Sequence, residues 1–278
     1  MSTLNVVAWD NNAQRLVRTA ADPANIVGGI VLDQVVASSV ALTAGTTSAT
    51  IGFTYSFSSI GSFALVVNLT NQIDTSPQFQ PVIVTSITTT GFTAIWNMPL
   101  DSSNYYIDYI AVSPVLSFVA NVETIPITTN SHTSLLLSAP SYATIPQMTN
   151  LTDTTPLILH PINITSKNSS GFTSMWNMNT DTANYGLHWM ATFTSSSVLK
   201  AGSTPISNVA TSVTVPYIFP ALASSNYAVV PRLTNITDSS TLYQPITVTS
   251  KTLTSFTAKW NQPVDSVNYT MDWILKTM

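Results

Sequence analysis

Residues 91–111 read GFTAIWNMPLDSSNYYIDYIA, and near copies stand at 171–191 (GFTSMWNMNTDTANYGLHWMA) and 255–275 (SFTAKWNQPVDSVNYTMDWIL). Extended back to Pro81, Pro161 and Pro245, the three windows of 31 residues align without a gap and share 10 invariant columns. In the first copy these are Pro81, Thr85, Ser86, Phe92, Thr93, Trp96, Asn97, Asp101, Asn104 and Tyr105. The likeness continues upstream in SFALVVNLTNQID, SYATIPQMTNLTD and NYAVVPRLTNITD. The tryptophans lie 80 and 84 residues apart, so each unit is the size of a small domain and not a short solenoid turn.

The period of the apolar residues assigns the faces. Phe92, Ala94 and Trp96 alternate, as do Phe172, Ser174, Trp176 and Phe256, Ala258, Trp260. Side chains two apart along a strand share a face, so large-small-large marks a core-facing strand. Trp96, Trp176 and Trp260 are therefore expected in the core and not as platforms for a sugar ring. A second strand places Tyr105, Ile107 and Tyr109 inward, with Tyr185, Leu187, Trp189 and Tyr269, Met271, Trp273 as counterparts. Its other face carries Asp108, His188 and Asp272, each followed two residues on by Ile110, Met190 and Ile274. An outward apolar side chain kept in every copy predicts burial between chains, and these three residues are the candidate oligomer interface. Pro146 and Pro231 predict edge strands in the second and third units, since proline cannot donate to a ladder. Asp101 and Asn104, with their copies, supply turn chemistry between the two aromatic strands.

Composition narrows the functional classes. Charged residues are 7 % of the 278, hydrophobic residues are 45 %, and the net charge is −4. That apolar content excludes a disordered chain, and Thr, Val, Ile and Tyr beside much Ser and Asn describe an all-β protein. Eight basic residues form no stripe for phosphate, so no nucleic-acid partner is expected. No cysteine is present, which removes disulfides and thiolate chemistry. No apolar signal core and no run long enough to span a bilayer is found, so synthesis in the cytoplasm without membrane insertion is expected. Three sequons in the second copy, at Asn150, Asn163 and Asn168, are read as a by-product of abundant Asn, Ser and Thr.

Two families resemble this pattern. Phe-Thr-x-x-Trp followed by Pro99 or Pro263 and then Tyr105 or Tyr269 is similar to two strands of a fibronectin type III domain. Read together with TSATIGFTYSFSSIGSFALVV ahead and YIA or WMA behind, the same residues resemble the H-type lectin domain and its relatives at the tips of bacteriophage fibres. The chain stops at Met278, five residues after Trp273, which would truncate a third fibronectin module but completes a lectin-like one. Three tandem small antiparallel β-sandwich repeats are expected, at 37–114, 115–195 and 196–278. The pattern departs at Ser255, where the turn glycine is lost, and at Leu275, where a small alanine is replaced. Residues 1–36 stand apart: they carry five charges (Asp10, Arg15, Arg18, Asp22, Asp33) and lack the repeat. They resemble virion-attachment segments, with Trp9, Arg15 and Arg18 as docking residues, and are equally consistent with a plain terminal tail.

No catalytic constellation recurs. His132, His160 and His188 occupy unrelated columns, so no repeated catalytic, metal or cofactor centre can include them, and no enzyme activity is expected. Asp74, Asp153 and Asp238 each follow Asn71, Asn150 and Asn235 by three residues. They are the candidate glycan-contacting residues, because carboxylate and amide groups bind hydroxyls in pairs; an Asx turn closing the loop is the simpler reading. What the lectin-like resemblance implies is a virion structural protein, a homotrimeric fibre, spike or adhesin subunit that docks to other virion proteins and can bind host surface glycans. A capsid-decorating or connector protein with no glycan binding is the alternative. A depolymerase would need a carboxylate pair in a groove, which the isolated repeated aspartates do not suggest.

Overall fold

The structure is a computed structural model describing residues 35–113, 118–135, 142–150, 160–192, 199–217, 224–238 and 242–278, with the backbone pairing of 5–10 and 15–20. Every regular element among the described residues is a strand. Residues 1–33 and 34–278 are two compact units. In the first, β1 (Asn5–Asp10) pairs antiparallel with β2 (Arg15–Ala20). Its register sets Trp9 opposite Leu16, Asp10 opposite Arg15 and Val7 opposite Arg18.

The second unit holds three groups of six strands. The first repeat contains β3 (Val35–Ala41), β4 (Ser48–Gly52), β5 (Ala64–Asn71), β6 (Val82–Thr88), β7 (Gly91–Trp96) and β8 (Tyr105–Val112). The second contains β9 (Phe118–Thr124), β10 (Ser131–Leu135), β11 (Ala143–Asn150), β12 (Asn163–Asn168), β13 (Gly171–Met175) and β14 (Tyr185–Thr192). The third contains β15 (Lys200–Pro205), β16 (Ser212–Pro216), β17 (Tyr227–Asn235), β18 (Thr247–Lys251), β19 (Ser255–Lys259) and β20 (Tyr269–Thr277). The groups break between 112 and 118 and between 192 and 200, and β3 begins two residues before the expected start of the first repeat at 37.

Each repeat folds into two three-stranded antiparallel layers, β5-β8-β3 against β4-β7-β6 in the first. The alternation read from sequence fills the space between them: Phe92, Ala94, Trp96, Tyr105, Ile107 and Tyr109 share one core cluster. The last strand closes each interior with an edge-on aromatic pair. Phe92 meets Tyr109 at 5.4 Å, Phe172 meets Trp189 at 5.4 Å, and Phe256 meets Trp273 at 5.8 Å, all near perpendicular. The repeat tryptophans are 0–1 % exposed, and each indole N–H donates to a loop carbonyl, of Thr46, Thr129 or Ala210.

The layers do not end at the repeat. β6 pairs parallel with β11 of the second repeat, β12 with β17 of the third, and β18 with β5 of the first. Three six-stranded sheets result, each half from one repeat and half from the next, and the third joint returns to the first repeat. The repeats therefore form a closed pseudo-threefold ring. Ile110, Met190 and Ile274 meet there in one apolar cluster with Val66, Ile145 and Val230, all at most 1 % exposed. The expected burial between chains is corrected: the partners that cover these residues are the sibling repeats of the same chain.

The prolines also differ from expectation. β11 and β17 are not edge strands, since each pairs on both sides. Their parallel ladders, however, run only through Thr149 and Thr234, beyond Pro146 and Pro231. Before that point the strands lean on the axis, and each N–H on that side needs a partner other than a strand. In the first repeat the N–H of Val67 donates to Gln147 Oε1. At the equivalent positions of the other two repeats, proline removes the donor altogether.

Candidate functional site

Asn71 Oδ1 accepts the backbone N–H groups of Ile73 (3.1 Å) and Asp74 (2.9 Å), which is an Asx turn. The Asp74 carboxylate then accepts from Ser102 Oγ, Asn71 Nδ2 and Asn104 Nδ2. The third repeat repeats this arrangement around Asp238, with Ser266, Asn235 and Asn268 as donors. The bond from Ser102, followed by those from Asn71 and Asn104, holds Asp74 below the usual carboxylate range, and Asp238 is held low by Ser266, Asn235 and Asn268. The invariant Asp-x-x-Asn turn is thus stapled to the Asn-x-x-Asp loop. These carboxylates are committed to their own chain, which leaves little of either group to grip a sugar hydroxyl. In the second repeat Asn150 is buried, and Asp153 lies outside the described residues. Asn150 and Asn163, two of the three sequon asparagines of the second copy, are fully buried in the fold.

The ring joints hold a constellation that sequence reasoning did not assemble. Asp108 of the first repeat faces Lys251 of the third at 2.6 Å, and Asp272 of the third faces Lys167 of the second at 2.7 Å. Both aspartates are fully buried. Each also accepts a backbone N–H across the joint, from Val229 (3.1 Å) and Thr144 (3.3 Å). At the joint between the first and second repeats the equivalent N–H, of Leu65, donates to His188 Nδ1 (3.2 Å), and the lysine column holds Ile87. Where lysine is absent, a neutral acceptor replaces the carboxylate. Burial pushes His188 down to about 4, so it is neutral at ordinary pH and no joint holds an unpaired carboxylate.

The invariant Thr-Ser dipeptide serves the same joint. In each copy the β6-type strand shifts register here, between Thr85 and Thr88, between Ile164 and Ser166, and between Val248 and Ser250. Such a bulge re-aims the residues after it, and the lysine follows directly.

One further cluster is private to the second repeat. Glu123 accepts from Ser134 Oγ (2.7 Å) and bonds His132 Nε2 (2.7 Å). Burial raises the Glu123 carboxyl, and its hydrogen bonds with His132 and Ser134 more than offset this, leaving it low. Because the serine donates to the carboxylate and not to the histidine, the trio does not make an activated nucleophile. His160 lies apart from it, near the pseudo-threefold axis, so the three histidines are not brought together.

The geometry defines a class: an all-β ring of three six-stranded repeats, closed by parallel joints and charge-balanced across them. No protein family, curated protein or solved structure matches the chain.

Proposed function

We propose that the chain is a non-enzymatic structural protein of a virus particle: a bacteriophage fibre, spike or adhesin subunit, made in the host cytoplasm, that docks to other virion proteins through residues 1–36 and presents the ring to host surface glycans. The observation that carries this reading is the closure of three sandwiches around one apolar axis by a single chain. A rigid block of this kind, with a separate short hairpin unit ahead of it in the sequence, suits display and docking. The threefold arrangement that the lectin-like resemblance ties to three chains is supplied here by one, so a single copy can fill a threefold position. Immunogold labelling of purified particles with an antibody to the chain tests the reading. Label on particles, lost when residues 1–33 are deleted although the ring still folds, is the expected result. Particles without label, or normal incorporation of the truncated chain, refute it.

A second reading, a connector or capsid-decorating protein that binds no sugar, is favoured by the internal saturation of Asp74 and Asp238. A glycan array probed with the purified chain separates the two: a connector gives no signal on any ligand.

A further inference from the structure

We propose that the pseudo-threefold axis holds a binding site for a small monovalent anion, of halide size, beside Arg232. Residues 68, 147 and 232 are equivalent in the three repeats and are Asn, Gln and Arg. The single guanidinium collects one carbonyl from each repeat at equivalent positions. Nη2 donates to Val67 O (3.0 Å), Nε to Pro146 O (3.1 Å) and Nη1 to Pro231 O (2.8 Å), and Nη2 also donates to Gln147 Oε1 (2.7 Å). All four acceptors are neutral, and four of the five N–H donors of the group are used.

The charge around the axis does not balance. Asp108 and Asp272 are matched one to one by Lys251 and Lys167, and the joint between the first and second repeats is neutral. Asp272 lies opposite Arg232 in the β17–β20 register, but its hydrogen-bonding carboxylate oxygen is given to Lys167 and to the N–H of Thr144. One positive charge is left over, on Arg232. Burial lowers that group to about 10, so it stays charged at neutral pH at the expense of lost hydration.

Beside it lies a pocket of about 40 Å³, with Arg232, Asn68 and His160 among its walls and Pro81, Pro161 and Pro245 as a ring from the three repeats. Its free polar hydrogens point to an acceptor ligand. Arg232 keeps one N–H, and Asn68 Nδ2 uses one of its two hydrogens on Leu69 O. His160 bonds Asn177, and its Nε2, buried and without a protein partner, is a further donor in the tautomer that carries the proton there. The volume exceeds what one water needs but excludes a sugar or a nucleotide. A single anion there would balance the charge and take the remaining donors.

Crystals of the full chain soaked in concentrated sodium bromide test this by anomalous scattering. A bromide peak on the axis within about 3.5 Å of an Arg232 nitrogen is expected. No peak there, with bromide bound only elsewhere, overturns the site. A solution measurement tests it independently: Tm in bromide against gluconate at equal ionic strength. The parent chain should gain a Tm increment that grows with bromide concentration. R232Q should lose the increment and R232K should retain part of it. Equal responses of the parent and R232Q, or no bromide-specific response of the parent, refute the proposal.

Discussion

The joint between the first and second repeats can be rewritten in the chemistry of its two siblings. His188→Asp places a carboxylate where Ile87, and not a lysine, occupies the facing column. The Asp108 and Asp272 joints show what that carboxylate lacks, an ammonium at 2.6 or 2.7 Å. Leaving a buried charge unpaired costs about 3–5 kcal/mol, so H188D should lose about that much stability. Ile87→Lys alone buries an ammonium opposite a neutral imidazole and is also destabilising. The double variant H188D/I87K reproduces the sibling joint, and the two substitutions should couple favourably by about 2–3 kcal/mol.

The assay is urea unfolding at neutral pH, followed by tryptophan fluorescence, for all four corners of the cycle. The parent should also be acid-sensitive in a defined window. His188 has its folded pKa lowered from 6.5 to about 4, so its stabilising contribution is complete above pH 6.5 and lost as pH falls toward 4. A shift of that size corresponds to about 3 kcal/mol, which the double variant should no longer lose through this group. Additivity of H188D and I87K within about 0.5 kcal/mol would show that the three joints do not follow one rule.

Other outcomes follow from the same architecture. Lys251→Met strands the buried Asp108 and should cost about 3–5 kcal/mol, whereas K251M combined with D108L should recover much of the loss, as read from urea midpoints. Truncating the axis with Ile110→Ala should cost about 2–4 kcal/mol and lower Tm, because the side chain is fully buried among residues of all three repeats. A chain starting at Gln34 should run as a monomer in light scattering, since Ile110, Met190 and Ile274 are already covered by the sibling repeats; a threefold mass would refute that. Asp74→Asn should lower Tm at neutral pH and weaken the acid dependence below pH 3.8, because a depressed carboxylate stabilises above its unfolded pKa and ceases to as pH falls through its folded one.

The sandwich interior was legible because strand side chains alternate strictly. Phe92, Ala94 and Trp96, with Tyr105, Ile107 and Tyr109, could only share a face, and they pack in one cluster. The ring was not legible by the same means, because periodicity says that Ile110 points outward without saying what covers it. Treating each repeat as an isolated sandwich also misplaces Pro146 and Pro231, which lie in central strands beside the axis. A usable signal was nonetheless present: the one copy with histidine in the aspartate column and the one with isoleucine in the lysine column are neighbours in the chain. Two columns that change together at a single joint are what contact across a cyclic interface would produce. The loop aspartates carry two readings in the sequence, since Asn-x-x-Asp has the same composition whether it grips a ligand or its own turn.

Joining three sandwiches in one chain frees them from strict symmetry. In an assembly of identical subunits, an arginine in the column of Arg232 would bring three guanidinium groups to a single point, where their repulsion would oppose closure. One chain can place a cation in one copy and amides in the other two, so a lone guanidinium can gather a carbonyl from every repeat. Each face of the ring is likewise open to separate variation, and a change made in one repeat need not be tolerated three times over.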